Sequence, residues 1–74
     1  MVEHSYHVCM CDYGQCGLEA VVDPEITRRG VISRIASGEY RNVAFVHFID
    51  GLSVEDVTEE VMTAAQALAL QAAE

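Results

Sequence analysis

The sequence predicts an α+β fold, ββαβα in chain order, in which a three-stranded antiparallel sheet carries two helices on one face. Residues 4–12 and 43–49 are rich in alternating, β-branched and aromatic side chains, which are typical of strands. Between the first two strands, the segment Gly14-Gln15-Cys16-Gly17 has two glycines that can reverse the chain. Apolar residues at three- and four-residue steps follow Thr27 and again Ser53, and this spacing is typical of helices.

The run Asn42 to Gly51 predicts the central strand. Strict alternation divides its side chains between two faces, with Val43, Phe45, His47 and Ile49 on one and Ala44, Val46 and Phe48 on the other. Both faces are too apolar to be left in water, but 74 residues supply only one helical layer. We therefore expect the uncovered face to meet a partner or a second copy.

The first hairpin pairs residues 4–12 with Leu18 to Val22. Its first strand alternates between two sides, with Tyr6, Val8 and Met10 on one and Ser5, His7, Cys9 and Cys11 on the other. Pro24 cannot donate to a strand ladder and ends the second strand. The third strand is predicted to pair beside the first, in the order 2-1-3, and a parallel pairing with the second strand is the alternative.

Local signals place the two helices. The first is predicted over 27–37, with Asp23 or Thr27 as its N-cap and Gly38 at its left-handed C-cap. The second is predicted to begin at Ser53, which forms a capping-box-like pair with Asp56 and is followed by an apolar stripe. That stripe is Val54, Val57, Val61, Ala64 or Ala65, Leu68 and Ala72, and Leu52 with Val57 forms the expected hydrophobic staple.

Composition indicates a single folded domain over 1–74, since 51% of the residues are hydrophobic and 22% charged. Twelve carboxylates against four arginines give a net charge of −8, which argues against direct nucleic-acid binding. The acidity favours either a basic protein partner or simple solubility. The N-terminus resembles no signal peptide and no segment is apolar enough to span a membrane, so a cytoplasmic location is expected, with three reduced cysteines.

Five potential zinc ligands lie within thirteen residues: His4, His7, Cys9, Cys11 and Cys16. Neighbouring ligands on one side of a strand are roughly 6.6 Å apart, which suits burial better than coordination. We therefore predict inert core thiols and neither metal nor cofactor. A Cys–His nucleophile lacks an orienting third residue and an oxyanion loop, so no catalytic site is predicted, and His47 is expected in the core or an interface.

Carboxylates concentrate in one segment. Glu55, Asp56, Glu59 and Glu60 are predicted on the outer side of the second helix, as like-charged pairs four residues apart. They form either a solvated face favoured by the helix dipole or a surface for a basic partner. The possible extensions of that surface are Glu19, Asp23, Glu25 and Asp50.

Three segments carry a resemblance that spans about residues 27–62: Ile35-Ala36-Ser37-Gly38-Glu39-Tyr40, Asn42-Val43-Ala44 and Asp56-Val57-Thr58-Glu59-Glu60. They look like segments of small proteins from proteobacterial genomes and their phages. In size, acidity and α/β make-up the chain is similar to phage-encoded anti-CRISPR proteins, which block CRISPR–Cas complexes by occupying basic nucleic-acid-binding surfaces. The resemblance implies a non-enzymatic inhibitor of a type I surveillance complex. The alternative is a small homodimeric structural or regulatory protein whose acidity serves only solubility.

Overall fold

The computed structural model describes residues 5–23 and 26–72. The strands are β1 (Ser5–Asp12), β2 (Leu18–Val22), β3 (Val43–Asp50) and β4 (Ser53–Asp56), and the helices are α1 (Arg28–Ala36) and α2 (Thr58–Ala72). A single 3-10 turn, Gly14–Cys16, joins β1 to β2. Within this part of the chain, no helix has the length and apolar character needed to cross a membrane.

The four strands form one antiparallel sheet in the order β2-β1-β3-β4. Cys9 of β1 lies opposite Val21 on one side and Val46 on the other, which sets the register at the centre of the sheet. Both helices pack on the face that carries Cys9 and Val46. The predicted α+β class, the antiparallel sheet and the helical layer are confirmed, and β4 extends the predicted order 2-1-3 by one strand.

The β1-β2 hairpin forms as predicted. Gly14 and Gly17 both have positive φ, at 63° and 94°, which glycine adopts without the steric cost of a Cβ. Asp12 fixes the entry to the turn, because its Oδ1 accepts a hydrogen bond from the Gly14 backbone N–H at 2.8 Å. The predicted roles of Pro24 and His4 lie outside the described residues.

Helix α1 begins and ends as the sequence predicts. Of the two candidate N-caps, Thr27 is the one used: its Oγ1 accepts a hydrogen bond from the Gly30 backbone N–H at 3.1 Å. Gly38 adopts a φ of 85° just after the helix. Gly30 also permits close packing, since a Cβ there would lie 2.6 Å from Cγ1 of Ile26.

The segment Ser53–Asp56 is a strand, so the prediction that the second helix begins at Ser53 is wrong. Gly51, with a φ of 59°, turns the chain back so that Val54 lies opposite Ile49 and Glu55 opposite Phe48. Leu52 is fully exposed and forms no staple, and Val54 lies on β4 rather than on a helical stripe. Pairing with the edge of β3 therefore prevails over the local capping signature of this segment.

Helix α2 begins five residues later, at Thr58. Asp56 Oδ1 accepts a hydrogen bond from the Thr58 backbone N–H at 3.0 Å and satisfies a donor of the first turn. Glu59 and Glu60 thus lie in the first turn, where the helix dipole favours carboxylates. The predicted like-charge pairs across one helical turn do not exist, because Glu55 and Asp56 precede the helix.

A β-bulge shifts the register between β1 and β3. Phe45 lies opposite Met10 and Val43 opposite Cys11, so Ala44 has no partner on β1. The bulge brings Val43 onto the helical face, where it packs against the core. The prediction that Val43 shares a face with Phe45 is therefore wrong, because strict alternation fails at this point.

The core is small and lies between the sheet and the two helices. Its buried members are Cys9, Cys11, Val31, Tyr40, Val46, Val57, Val61 and Ala65. Most are residues of modest volume, so the domain depends on close packing of short side chains rather than on large aromatic groups.

Candidate functional site

Five exposed carboxylates lie along the β3-β4 hairpin and in the first turn of α2. Asp50 ends β3, two of the others end β4, and the last two occupy the first turn of α2. We call this group the acidic corner: Asp50, Glu55, Asp56, Glu59 and Glu60. The antiparallel pairing places Asp50 at the turn end of the hairpin, opposite Ser53, and Asp56 at the other end of β4, opposite His47, where the chain continues into α2.

Three members of the acidic corner have partners within the protein. Asp50 accepts a hydrogen bond from the Ser5 hydroxyl at 2.8 Å, and Glu60 forms an ion pair with Arg28. Asp56 accepts hydrogen bonds from the backbone and hydroxyl of Thr58, which lower the pKa of its carboxyl group. Glu55 and Glu59 have no side-chain hydrogen bond or ion pair to another residue that the structure describes.

A shallow groove of about 630 Å³ runs from the acidic corner along α2. Three carboxylates line one end, and small side chains continue the lining along the helix: Asp56, Glu59 and Glu60, then Thr63, Ala64 and Ala67. A lysine or arginine side chain combines a long apolar stem with a charged end. The groove therefore has the chemistry to hold such a side chain, with the stem along the alanines and the cation at the carboxylates.

A second groove, of about 460 Å³, lies between α1 and α2. Its lining is mostly apolar, with Ile35 and Ala36 on α1 facing Met62 and Ala69 on α2. Glu59 borders both grooves. Because it also lacks an internal partner among the described residues, Glu59 is the carboxylate of the acidic corner best placed to meet an external cation.

Two other predicted binding residues, Glu19 and Asp23, lie away from the acidic corner. Glu19 lies on β2, the edge strand farthest from β4, where it pairs with Cys11 of β1. Asp23 follows β2 and lies 3.6 Å from the guanidinium of Arg34. Three strand spacings, about 14 Å, separate β2 from β4. Glu19 and Asp23 therefore lie apart from the acidic corner, their role in binding stays a prediction, and Glu25 lies outside the described residues.

Arg28 is a residue of the site that the sequence did not identify. Its Nε donates to Nε2 of His7 at 3.1 Å, and its guanidinium pairs with Glu60 and lies 5.2 Å from the ring centre of Phe48. No spacing rule links a residue on α1 to one on α2, so the sequence carried no signal for this contact. Arg28 joins β1, α1 and α2 beneath the acidic corner.

His7 is 5% exposed, and burial lowers the pKa of its imidazole, with the charge of Arg28 adding to the effect. Because the folded protein keeps His7 neutral, the unfolded chain takes up a proton first as the pH falls below about 6.5. The contribution of neutral His7 to the free energy of unfolding is therefore fully present above that pH and decreases as the pH falls below it. Between pH 7.5 and 5.5, we expect the free energy of unfolding of the wild type to fall by about 1 kcal/mol more than that of His7→Gln.

Glutamine is a suitable replacement because its amide oxygen can still accept from Arg28 but does not titrate. The other histidines and the carboxylates are the same in both proteins, so their contributions cancel in the comparison. The measurement is urea denaturation at several pH values. Equal losses of stability in the two proteins would contradict a neutral, buried His7.

The thiols of β1 are buried. Cys9 and Cys11 both lie in the core, and burial beside Cys11 raises the pKa of the Cys9 thiol to about 12. Nucleophilic attack and metal binding both require a thiolate, and burial disfavours the thiolate of Cys9. Cys16 lies exposed in the hairpin turn. Over 5–23 and 26–72, no three His, Cys, Asp or Glu side chains are grouped to hold a metal ion.

His47 lies on the sheet face opposite the helices, and its ring stacks on that of Phe45 with 4.2 Å between the ring centres. Its cross-strand neighbours are Val8 and Asp56. His47 is thus half-buried in an apolar surface, away from the core.

Comparisons with known protein families, with curated proteins and with solved structures find no match to this chain. Function therefore has to be inferred from the geometry and charge of the molecule.

Proposed function

We propose that the protein is a non-enzymatic inhibitor that binds a basic, nucleic-acid-binding protein surface in the bacterial cytoplasm. The observation that carries this proposal is the groove in which Asp56, Glu59 and Glu60 meet the small side chains of α2. Such a groove suits a lysine or arginine side chain of a partner. Residues of this kind line surfaces that bind nucleic acid.

Charge supports the same class of partner. A net charge of −8 attracts basic surfaces over a distance and speeds encounter at low salt. The acidic corner would pair with the same cations that otherwise contact phosphates, so inhibitor and nucleic acid would compete. Since Glu55 and Glu59 have no internal partner among the described residues, they can make such pairs without first breaking an existing one.

The specific form of this proposal is an anti-CRISPR-like inhibitor that binds a type I surveillance complex and blocks target DNA binding. It rests on the resemblance in size, acidity and α/β make-up. The acidic corner would occupy the basic channel through which the complex holds DNA.

The test reverses the two carboxylates without internal partners, in the double variant Glu55→Lys/Glu59→Lys. Glu60 is left unchanged because its loss would also release Arg28 and disturb the fold. The matched control is Glu19→Lys/Gln15→Lys/Gln71→Lys, which changes the net charge equally at exposed positions outside the acidic corner. At low salt, we expect the first variant to bind a type I surveillance complex at least about tenfold more weakly and the control about as tightly as the wild type.

The difference should shrink as salt rises, because exposed charges are screened over about 8 to 10 Å at physiological ionic strength. Target DNA and the wild-type protein should exclude each other from the complex. Equal losses in both variants would show that only net charge matters. Simultaneous binding of DNA at full affinity would contradict the proposed competition.

A second candidate function is that of a small homodimeric structural or regulatory protein. The uncovered apolar face of the sheet favours it. On that alternative the acidity serves only solubility, and reversing Glu55 and Glu59 would leave function unchanged.

A further inference from the structure

The face of the sheet opposite the helices is uncovered in the part of the chain that the structure describes. Six side chains at its centre are half-buried among one another, and all are apolar or aromatic: Tyr6, Val8, Met10, Phe45, His47 and Ile49. Ala20, Val22 and Val54 extend the surface onto the edge strands. We call these nine residues the open face.

An antiparallel sheet that leaves one face in water normally alternates apolar and polar side chains. Here both faces are apolar, since Val46, Cys9 and Phe48 pack against the helices on the other side. A continuous apolar surface of this kind marks an interaction site in a folded protein.

The open face contains no Lys, Arg, Asp or Glu, and the imidazole of His47 is its one basic group. Two carboxylates lie at its margins, and both are already hydrogen-bonded locally: Asp12 accepts from the Gly14 N–H, and Asp56 accepts from Thr58. A surface without carboxylates of its own gives no electrostatic preference for the basic partner that suits the acidic corner. It fits a partner surface that is itself flat, apolar and uncharged.

We propose that the open face binds the open face of a second copy, forming a twofold dimer in which two sheets pack face to face. The identical surface of a second molecule has the required neutrality, flatness and apolar character. With the twofold axis parallel to the strands, β1 lies over the partner's β3, and β4 lies over the partner's β2. This arrangement keeps the two copies of Asp56 at opposite edges.

The size of the surface sets the expected strength of the dimer. Strands of eight, five, eight and four residues, at about 3.3 Å per residue and about 4.8 Å between strands, project roughly 400 Å². Accessible area exceeds projected area because side chains make the surface uneven. This places the contact near the lower end of specific interfaces, for which we expect reversible association in the micromolar range.

The test is sedimentation equilibrium of the whole chain from about 1 to about 200 µM, in low and high salt. The wild type should pass from monomer to dimer over this range. High salt should tighten the dimer, because it screens the repulsion between two molecules of net charge −8. Binding through the acidic corner would respond to salt in the opposite direction, so the two proposals fail independently.

The decisive variant is Ile49→Lys, which places a charge in the open face beside Tyr6 and Val54. Its matched control is Leu52→Lys, the same kind of change at a fully exposed apolar residue in the β3-β4 turn. Ile49→Lys should dimerise at least about tenfold more weakly than the wild type, because the change occurs twice in a twofold interface. Leu52→Lys should dimerise like the wild type.

Circular dichroism establishes whether each variant folds. If Ile49→Lys does not, Val8→Thr keeps the shape and the strand preference and should still weaken the dimer at least about threefold. A wild type that stays monomeric at the highest concentration, or a folded open-face variant that dimerises as tightly as the wild type, would overturn the proposal.

Discussion

Replacing Cys9 and Cys11 together with serine is expected to lower the free energy of unfolding by about 3 kcal/mol. The two thiols are 1% and 0% exposed and lie at the centre of the core. A hydroxyl group buried there without a good hydrogen-bond partner costs about 1 to 3 kcal/mol. Because a domain of this size has only a few kcal/mol of stability, much of the double variant should be unfolded at 25 °C.

The matched control is Cys16→Ser, which makes the same chemical change at an exposed turn position and should leave stability within about 0.5 kcal/mol of the wild type. Urea denaturation followed by circular dichroism measures both. A chelator should not shift the wild-type midpoint. A shift on chelation, or equal stability of Cys9→Ser/Cys11→Ser and wild type, would contradict the role of these residues as packed, neutral thiols.

Replacing Thr58 with valine is expected to destabilise the protein by about 2 kcal/mol. Thr58 joins α2 to the sheet: its Oγ1 accepts from the Val46 backbone N–H at 2.8 Å and lies 3.2 Å from the Val46 carbonyl oxygen. Valine has the same shape but no hydroxyl, so the Val46 N–H loses its partner next to the bulge in β3 and the Asp56 carboxylate loses its hydroxyl donor. The carbonyl keeps its hydrogen bond from the Val57 N–H.

Two other variants isolate the effect of the Thr58 hydroxyl. Thr58→Ser keeps the hydroxyl and should recover most of the stability. Thr63→Val makes the same isosteric change at an exposed position of α2 and should have little effect. Thermal and urea denaturation provide the measurement. If Thr58→Val and Thr63→Val proved equally stable, the hydrogen bonds of the Thr58 hydroxyl to Val46 and Asp56 would not contribute as the structure indicates.

Much of the fold follows from local chemistry. Alternation in residues 4–12 and the two glycines after them predict β1 and the first hairpin, since strand faces and positive φ angles depend on immediate neighbours. Thr27 and Gly38 mark the ends of α1 for the same reason. The tight first hairpin and a helix that returns the chain favour the observed order of the first three strands, although the sequence also allowed β3 to pair in parallel with β2.

Residues 53–57 show where local chemistry misleads. Ser53 and Asp56 have the spacing of a capping pair, and Val54 with Val57 fits one face of a helix. The segment becomes β4 because Gly51 turns it back along β3, whose free edge offers backbone hydrogen bonds. The bulge at Ala44 is a similar case, since it depends on how β3 fits against β1. Both outcomes depend on a partner strand that a local pattern does not include.

The sequence by itself determined the charge of the protein, its acidic segment and the apolar character of both faces of β3, because these are properties of composition and alternation. Only the tertiary structure decided which charges are neighbours. It gives Asp50 a hydrogen bond from Ser5, places Glu19 at the edge of the sheet farthest from β4, and pairs Glu60 with Arg28. Electrostatic interactions depend on distance in space, and the crossing of strands and helices sets that distance independently of separation along the chain.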